Sequence, residues 1–351
     1  MRNSRRGARG MLRCLVCAAV LCVATSAGAQ EVCLSPWVWP EKTALGPFTV
    51  YGGQRFSLIV DENRDSTYLK NYDLALFVDC ALKDGAMVRS YFVVNPEYRK
   101  HPQVQSSLWP IYLYWQKEVG SGTLQVGKVP MPFNYRNGFP EYHSQVRRIT
   151  RIWDLGLHYA SKPRNGFTYD LAIVNDGTSP AADSEGFSDK PAVVAELIQR
   201  IGRGAEVGVS GMMAHGREVS GIGEVDFDRL GAHFALPLGR RTMLRGEYVD
   251  FTTLTQCSSL SPAYANKDGS GFVLEGVHQL NPRASIFANY NELERDESTP
   301  STVRTLTLGG RYKFSNNLYL IPELWFVDDE LPVGDARRDD NRYILTALIL
   351  F

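Results

Sequence analysis

The groups in this chain that could do chemistry are scattered charges, and no catalytic constellation stands out. The six histidines, His101, His143, His158, His215, His233 and His278, occur singly along the sequence. There is no Gly-x-Ser-x-Gly nucleophile turn, no His-Glu-x-x-His metal helix and no Gly-rich phosphate loop. The densest set of solute-binding side chains lies between Pro130 and Arg148, which holds Arg136, Glu141, His143, Arg147 and Arg148. Guanidinium groups present forked donors suited to carboxylates and phosphates, so this segment attracts anions if it lies in a solute path. The plainer alternative is an exposed loop. Asp61-Glu62-Asn63-Arg64-Asp65 opens like a calcium loop, but Ser66 replaces the required glycine and Tyr72 the closing glutamate. The sequence calls for no metal and no cofactor.

The first residues read as a targeting segment. Arg2, Arg5, Arg6, Arg9 and Arg13 precede an apolar run from Leu15 to Ala24, and Ala27 and Ala29 sit where a signal peptidase cuts. Residues 1–29 are therefore expected to be removed. The run is too short for a membrane anchor. The whole chain has 38 basic and 38 acidic side chains, so losing five arginines leaves a mildly acidic mature protein. That balance excludes a nucleic-acid binder. Cys14, Cys17 and Cys22 leave with the signal, and Cys33, Cys80 and Cys257 remain, with no metal-ligand spacing.

The mature part has no apolar run long enough to cross a membrane as a helix. What recurs is a segment of about ten residues with alternating polarity, bounded by turn residues. From Thr302 to Lys313, for example, Leu306, Leu308 and Tyr312 alternate with Thr305, Thr307 and Arg311. Such segments centre on Phe56, Leu76, Phe92, Leu113, Val126, Leu155, Leu171, Leu197, Val209, Phe234, Leu244, Leu274, Ala288, Leu308, Leu324 and Ala347. The links between them alternate in length. After even-numbered segments they are tight, as in Lys83-Asp84-Gly85 and Gly202-Arg203-Gly204. After odd-numbered ones they are long and polar, as from Asn95 to Leu108 and from Asp328 to Asn341. Short periplasmic turns alternating with long extracellular loops predict an all-β fold. The expected form is a transmembrane antiparallel β-barrel of about 16 strands spanning residues 48–351. Residues 30–47 then form an N-terminal periplasmic extension.

The alternation also assigns faces. Arg55, Arg89, Arg229, Arg245, Arg311 and Lys313 fall on the interior face, together with Asp73, Asp79, Asp154, Asp170, Glu196, Glu247 and Glu275. Counting back in twos from Phe351 gives Ile349, Ala347, Leu345 and Tyr343. This apolar stripe with aromatic residues at both ends resembles the signal read by the outer-membrane assembly machinery. Cys33 and Cys80 both fall on the periplasmic side, where disulfides form, and are a candidate pair. Cys257 falls in an external loop. The acidic stretch around Asp328, Asp329, Glu330, Asp335, Asp339 and Asp340 reads as a solvated loop or a weak bridge to lipopolysaccharide through divalent cations.

Three passages carry a family resemblance. Leu124 to Phe133 runs Leu-Gln-Val-Gly-Lys-Val-Pro-Met-Pro-Phe, Arg151 to Leu157 runs Arg-Ile-Trp-Asp-Leu-Gly-Leu, and Gly166 to Gly177 closes on Asn-Asp-Gly. They resemble the phosphate-selective porin O and P family over about one sixth of the mature chain. That resemblance implies a homotrimeric, sixteen-stranded channel for small solutes, embedded among outer-membrane lipid and lipopolysaccharide. The expected function is passive diffusion of small hydrophilic solutes across the bacterial outer membrane, including anions such as phosphate. The mixed signs on the interior face argue against a strict anion filter, because selectivity follows the charge at the narrowest point. A structural or adhesive barrel acting through its loops, or a barrel enzyme, are the other readings.

Overall fold

A strand with one apolar and one polar face is stable only where the two faces meet different surroundings, and the chain resolves this by closing its sheet. The computed structural model describes residues 43–62, 66–94, 108–133, 153–175, 190–202, 204–215, 217–219, 223–252, 268–295, 301–330 and 341–351. A short strand, β1 (Thr43–Leu45), precedes the barrel. The barrel strands are β2 (Phe48–Asp61), β3 (Ser66–Ala81), β4 (Met87–Val94), β5 (Leu108–Val119), β6 (Gly122–Pro130), β7 (Trp153–Ser161), β8 (Phe167–Val174) and β9 (Ala192–Ile201). They continue as β10 (Ala205–Met213), then, after a separate hairpin of β11 (Arg217–Val219) and β12 (Gly223–Val225), as β13 (Arg229–Pro237) and β14 (Thr242–Phe251). The last five are β15 (Gly269–Asn281), β16 (Ala284–Arg295), β17 (Ser301–Lys313), β18 (Leu318–Asp329) and β19 (Arg342–Leu350).

Each barrel strand pairs antiparallel with the next, and β19 pairs with β2. The sixteen-stranded barrel is thus closed, and every segment centre from Phe56 to Ala347 falls within one of its strands. At one end the links are tight, spanning 82–86, 120–121, 162–166, 202–204, 238–241, 282–283 and 314–317. At the other end most are long, with only 62–65 and 296–300 brief.

β8 shows the two faces most clearly. Phe167, Tyr169, Leu171 and Ile173 point outward and are exposed, while Thr168, Asp170, Ala172 and Val174 point inward. The same outward parity exposes Leu157, Leu197, Val209, Leu230, Leu306, Leu345 and Ile349 around the circumference. An apolar surface of this extent has no stable place in water, so the barrel spans a membrane. Tyr159, Tyr169, Tyr312, Phe48 and Phe314 gather on the outward side near the tight-turn end, and Phe326 and Tyr343 near the other. These are the depths at which aromatic side chains favour the lipid headgroup boundary.

The closing seam is bonded along its length. Gly52 donates to Phe351 O at 2.8 Å, and Phe351 donates to Gly52 O at 3.0 Å. Gly52 is needed here because a Cβ would lie 2.7 Å from the Phe351 ring, which covers it on the outward side. Inside, Ser57 Oγ and Thr346 Oγ1 are 2.6 Å apart, and at the loop end Arg342 Nε lies 3.3 Å from Asp61 Oδ2. Asp61 is thereby engaged within the barrel, and Glu62 accepts from the Tyr343 hydroxyl at 2.6 Å; Asn63, Arg64 and Asp65 lie outside the described residues. β1 pairs with the tight-turn end of the same β2 edge, Thr43 opposite Val50.

Cys80 stands as a free thiol among the described residues, its Sγ 3.9 Å from the Ala81 carbonyl. Its register partner is the outward-facing Phe48, on the opposite face from inward Asp79. Cys33 and Cys257 lie outside the described residues.

Two predictions follow from the seam and the turns. Gly52→Val drives the added carbon against the Ala75 carbonyl oxygen, 2.5 Å away, as well as the Phe351 ring, and should cost ~1–3 kcal/mol, as overpacking does. It should lower the temperature at which the barrel loses its compact electrophoretic mobility, whereas Gly276→Ala, with nothing within 4 Å of the added carbon, should not. At the tight-turn end, Lys117 Nζ sits 2.8 Å from Asp84 Oδ2 and ties neighbouring turns together. The hydrogen bond from Lys117, and then that from the Ala86 amide, hold the Asp84 carboxyl below its ordinary 3.8. Its contribution is therefore complete above the unfolded value and disappears as pH falls through the lowered folded one. Melting curves of Asp84→Asn and the wild type should differ near neutrality and converge in strong acid.

Candidate functional site: the inner wall

The register places the interior charges. Arg55 stands opposite Leu348, Arg89 opposite Asp79, Arg229 opposite Met212, Arg245 opposite Glu275 and Lys313 opposite Tyr319. Arg311, Asp154, Asp170, Glu196 and Glu247 share that inward face. The Asp73 side chain, and all of Arg136, Glu141, His143, Arg147 and Arg148, lie outside the described residues.

On a concave wall, side chains from adjacent strands converge, and here they bond one another. Arg89 grips Asp79 with two hydrogen bonds, Nε to Oδ1 at 3.0 Å and Nη2 to Oδ2 at 3.1 Å. Arg245 Nη1 lies 3.4 Å from Glu275 Oε1, and Asn289 Nδ2 donates to Glu275 Oε2 at 3.3 Å. The Arg311 guanidinium lies 4.1 Å over the Tyr319 ring centroid, a cation–π arrangement. Beside Arg89, Tyr51, Phe77 and Tyr91 stack across three strands with centroids 4.9 and 4.4 Å apart. That spacing is set by the strands themselves. The wall is therefore polar and of mixed sign.

Toward the loop end its character changes. Val129, Val174, Val194, Met212, Val249, Phe251, Val273 and Leu293 form one buried apolar belt on the inward side. Met131 and Phe133, which follow β6, are part of it at 1% and 2% exposure, and Phe227 joins from the link before β13. Apolar groups buried this completely on an inward face are covered by protein rather than water. The stretch following β6 thus starts out inside the barrel.

No protein-family model matches the chain, and no curated protein matches its sequence. Solved structures do match its shape. The outer membrane channel DcaP of Acinetobacter baumannii superposes with a TM-score of 0.66 at 11% identity, covering 90% of this chain and 100% of that one. An anion-selective porin from Comamonas acidovorans gives 0.58 at 11%, over 87% and 99%. OmpT of Vibrio cholerae, an outer membrane protein solved in a trimer form, gives 0.60 at 12%, over 87% and 99%. The chain has the porin fold.

Two features of this porin-fold wall escaped the sequence. The apolar belt erases polarity alternation where it occurs, as at Ile173-Val174 and Val193-Val194, so nothing local separates inward from outward valines. His158 and His233 also lie on the inward face, and which side chains they meet there depends on register between strands far apart in sequence.

The Arg245–Glu275 pair gives a test of the wall's energetics, since its side chains are 4% and 0% exposed. Removing one partner leaves a buried charge, so Glu275→Ala should cost ~3–5 kcal/mol in urea unfolding of the lipid-inserted barrel. Arg245→Met with Glu275→Leu should recover most of that loss.

Proposed function

We propose that the chain forms a passive, water-filled channel for small hydrophilic solutes in the bacterial outer membrane. The observation that carries this reading is the closed sixteen-stranded barrel, apolar outside and charged within. A leader spanning residues 1–29 delivers it to the periplasm, and the stripe from Tyr343 to Phe351 serves its assembly. Association as a homotrimer is supported by the trimer form of the Vibrio protein with the same fold. The resemblance to phosphate-selective porins raises a narrower function. Against it, Arg89 and Arg245 are engaged by Asp79 and Glu275, which argues for weak selectivity. We also propose that residues 134–148 continue into the lumen and narrow it, bringing Arg136, Arg147 and Arg148 to the solute path. The burial of Met131 and Phe133 supports that course.

Purified protein in planar bilayers should give discrete open-channel steps; a protein that inserts and never conducts contradicts the channel. Arg147→Glu with Arg148→Glu should then move the reversal potential in a salt gradient toward cation preference. An unchanged potential would place that segment away from the conduction path.

A further inference from the structure

Two histidines are set among carboxylates in the inner wall, and simple diffusion gives them no role. His233, on β13, points inward with Nδ1 3.7 Å from Glu196 Oε1 of β9 and Nε2 3.6 Å from Glu206 Oε1 of β10. Glu247 of β14 stands directly opposite it. The ring lies over Gly208, where a Cβ would come within 2.2 Å of the imidazole, so a side chain there would expel it. His158 of β7 faces Asp170 Oδ2 of β8 through Nε2 at 3.6 Å, with Nδ1 2.8 Å from Gln125 Oε1 of β6. Asp170 and Glu196 are themselves direct cross-strand partners. Like charges so placed repel unless a counter-charge stands beside them.

These groups lie at two depths. The side chains of His158, His233 and Glu196 are 5%, 1% and 6% exposed, against 22% for Asp170 and 17% for Glu206. Asp170 and Glu206 therefore meet the lumen, with the imidazoles behind them. Of the basic groups nearby, Arg200 Nε lies 3.1 Å from Glu206, and Arg245 is held by Glu275. Asp154 and Arg229 share the inward faces of β7 and β13, four residues from the histidines.

We infer that this arc, from His158 on β7 to Glu247 on β14, makes the channel's preference between cations and anions depend on pH, with the two imidazoles as proton-dependent counter-charges. Imidazole is the side chain whose charge ordinarily changes between about pH 5 and 8. Protonation of the two rings adds two positive charges to the arc that holds Asp170, Glu196, Glu206 and Glu247, and their loss at higher pH makes this part of the wall more attractive to cations and less so to anions. Buried charges are poorly screened, so rings one layer back still act on the lumen. Cation preference therefore rises with pH.

The inference rests on the channel reading, and one experiment separates the two. Zero-current potentials across a KCl gradient, taken near pH 5.5 and pH 8, should show the K+ over Cl− permeability ratio rising about twofold or more. His158→Gln with His233→Gln should give the same ratio at both values. Asp170→Asn with Glu206→Gln changes only the exposed layer, serves if the histidine variant does not fold, and should lower cation preference at both values. A conducting wild type with one ratio at both pH values overturns the inference alone, as does a histidine variant that keeps the wild-type shift or a carboxylate variant with the wild-type ratios. A protein that never conducts overturns the channel reading and this inference with it.

Discussion

Backbone hydrogen bonding in hydrocarbon is the constraint on which this structure depends. An unpaired N–H or C=O costs several kcal/mol where no water can reach it, so a sheet that crosses a membrane must have no open edge. The pairing of β19 with β2 meets that demand, down to the reciprocal bonds between Gly52 and Phe351. Once the sheet is closed, each strand has an inside and an outside. Side-chain alternation then separates Phe167, Tyr169 and Leu171 from Thr168 and Asp170 without further instruction.

Closure also creates the functional surface. Inward side chains cannot spread on a concave wall, and their charges meet within hydrogen-bond reach. The outcome is local neutralisation, Arg89 with Asp79, Arg245 with Glu275 and Arg342 with Asp61. Such pairs offset the penalty of holding charge at low exposure, and they leave no continuous row of one sign for an ion to follow. Where the pairing is made by imidazole instead of guanidinium, around Glu196 and Asp170, the balance depends on protons. Toward the loop end the apolar belt that receives Met131 and Phe133 lines part of the interior, beside charges such as Asp154, Arg229 and the Arg342–Asp61 pair.

Much of this was legible in the sequence because the side-chain period of a strand is local. Leu306 and Leu308 against Thr305 and Thr307 declare two faces without reference to any partner. The alternation of tight and long links gave the order of the strands. What could not be read depends on register between distant segments. The seating of His233 over Gly208 and between Glu196 and Glu206 is one case. The bulges at Gln54/Phe56 and Tyr91/Phe92 are another, since each shifts pairing by amounts no local pattern records. The β11–β12 hairpin, three residues per strand, is too short to show a period. The position of Cys80 near the tight turns was legible, but its register opposite Phe48 was not.

The central claim is that one face of these strands meets a water-filled lumen and the other meets lipid, and adjacent residues on β8 test it directly. In a chain with Cys33, Cys80 and Cys257 replaced by serine, Asp170→Cys and Leu171→Cys should be compared in conducting bilayers exposed to a water-soluble, charged methanethiosulfonate. The account predicts that the cysteine at 170 reacts and reduces the current, while the one at 171 stays unmodified. Reaction at 171 with none at 170 would contradict it.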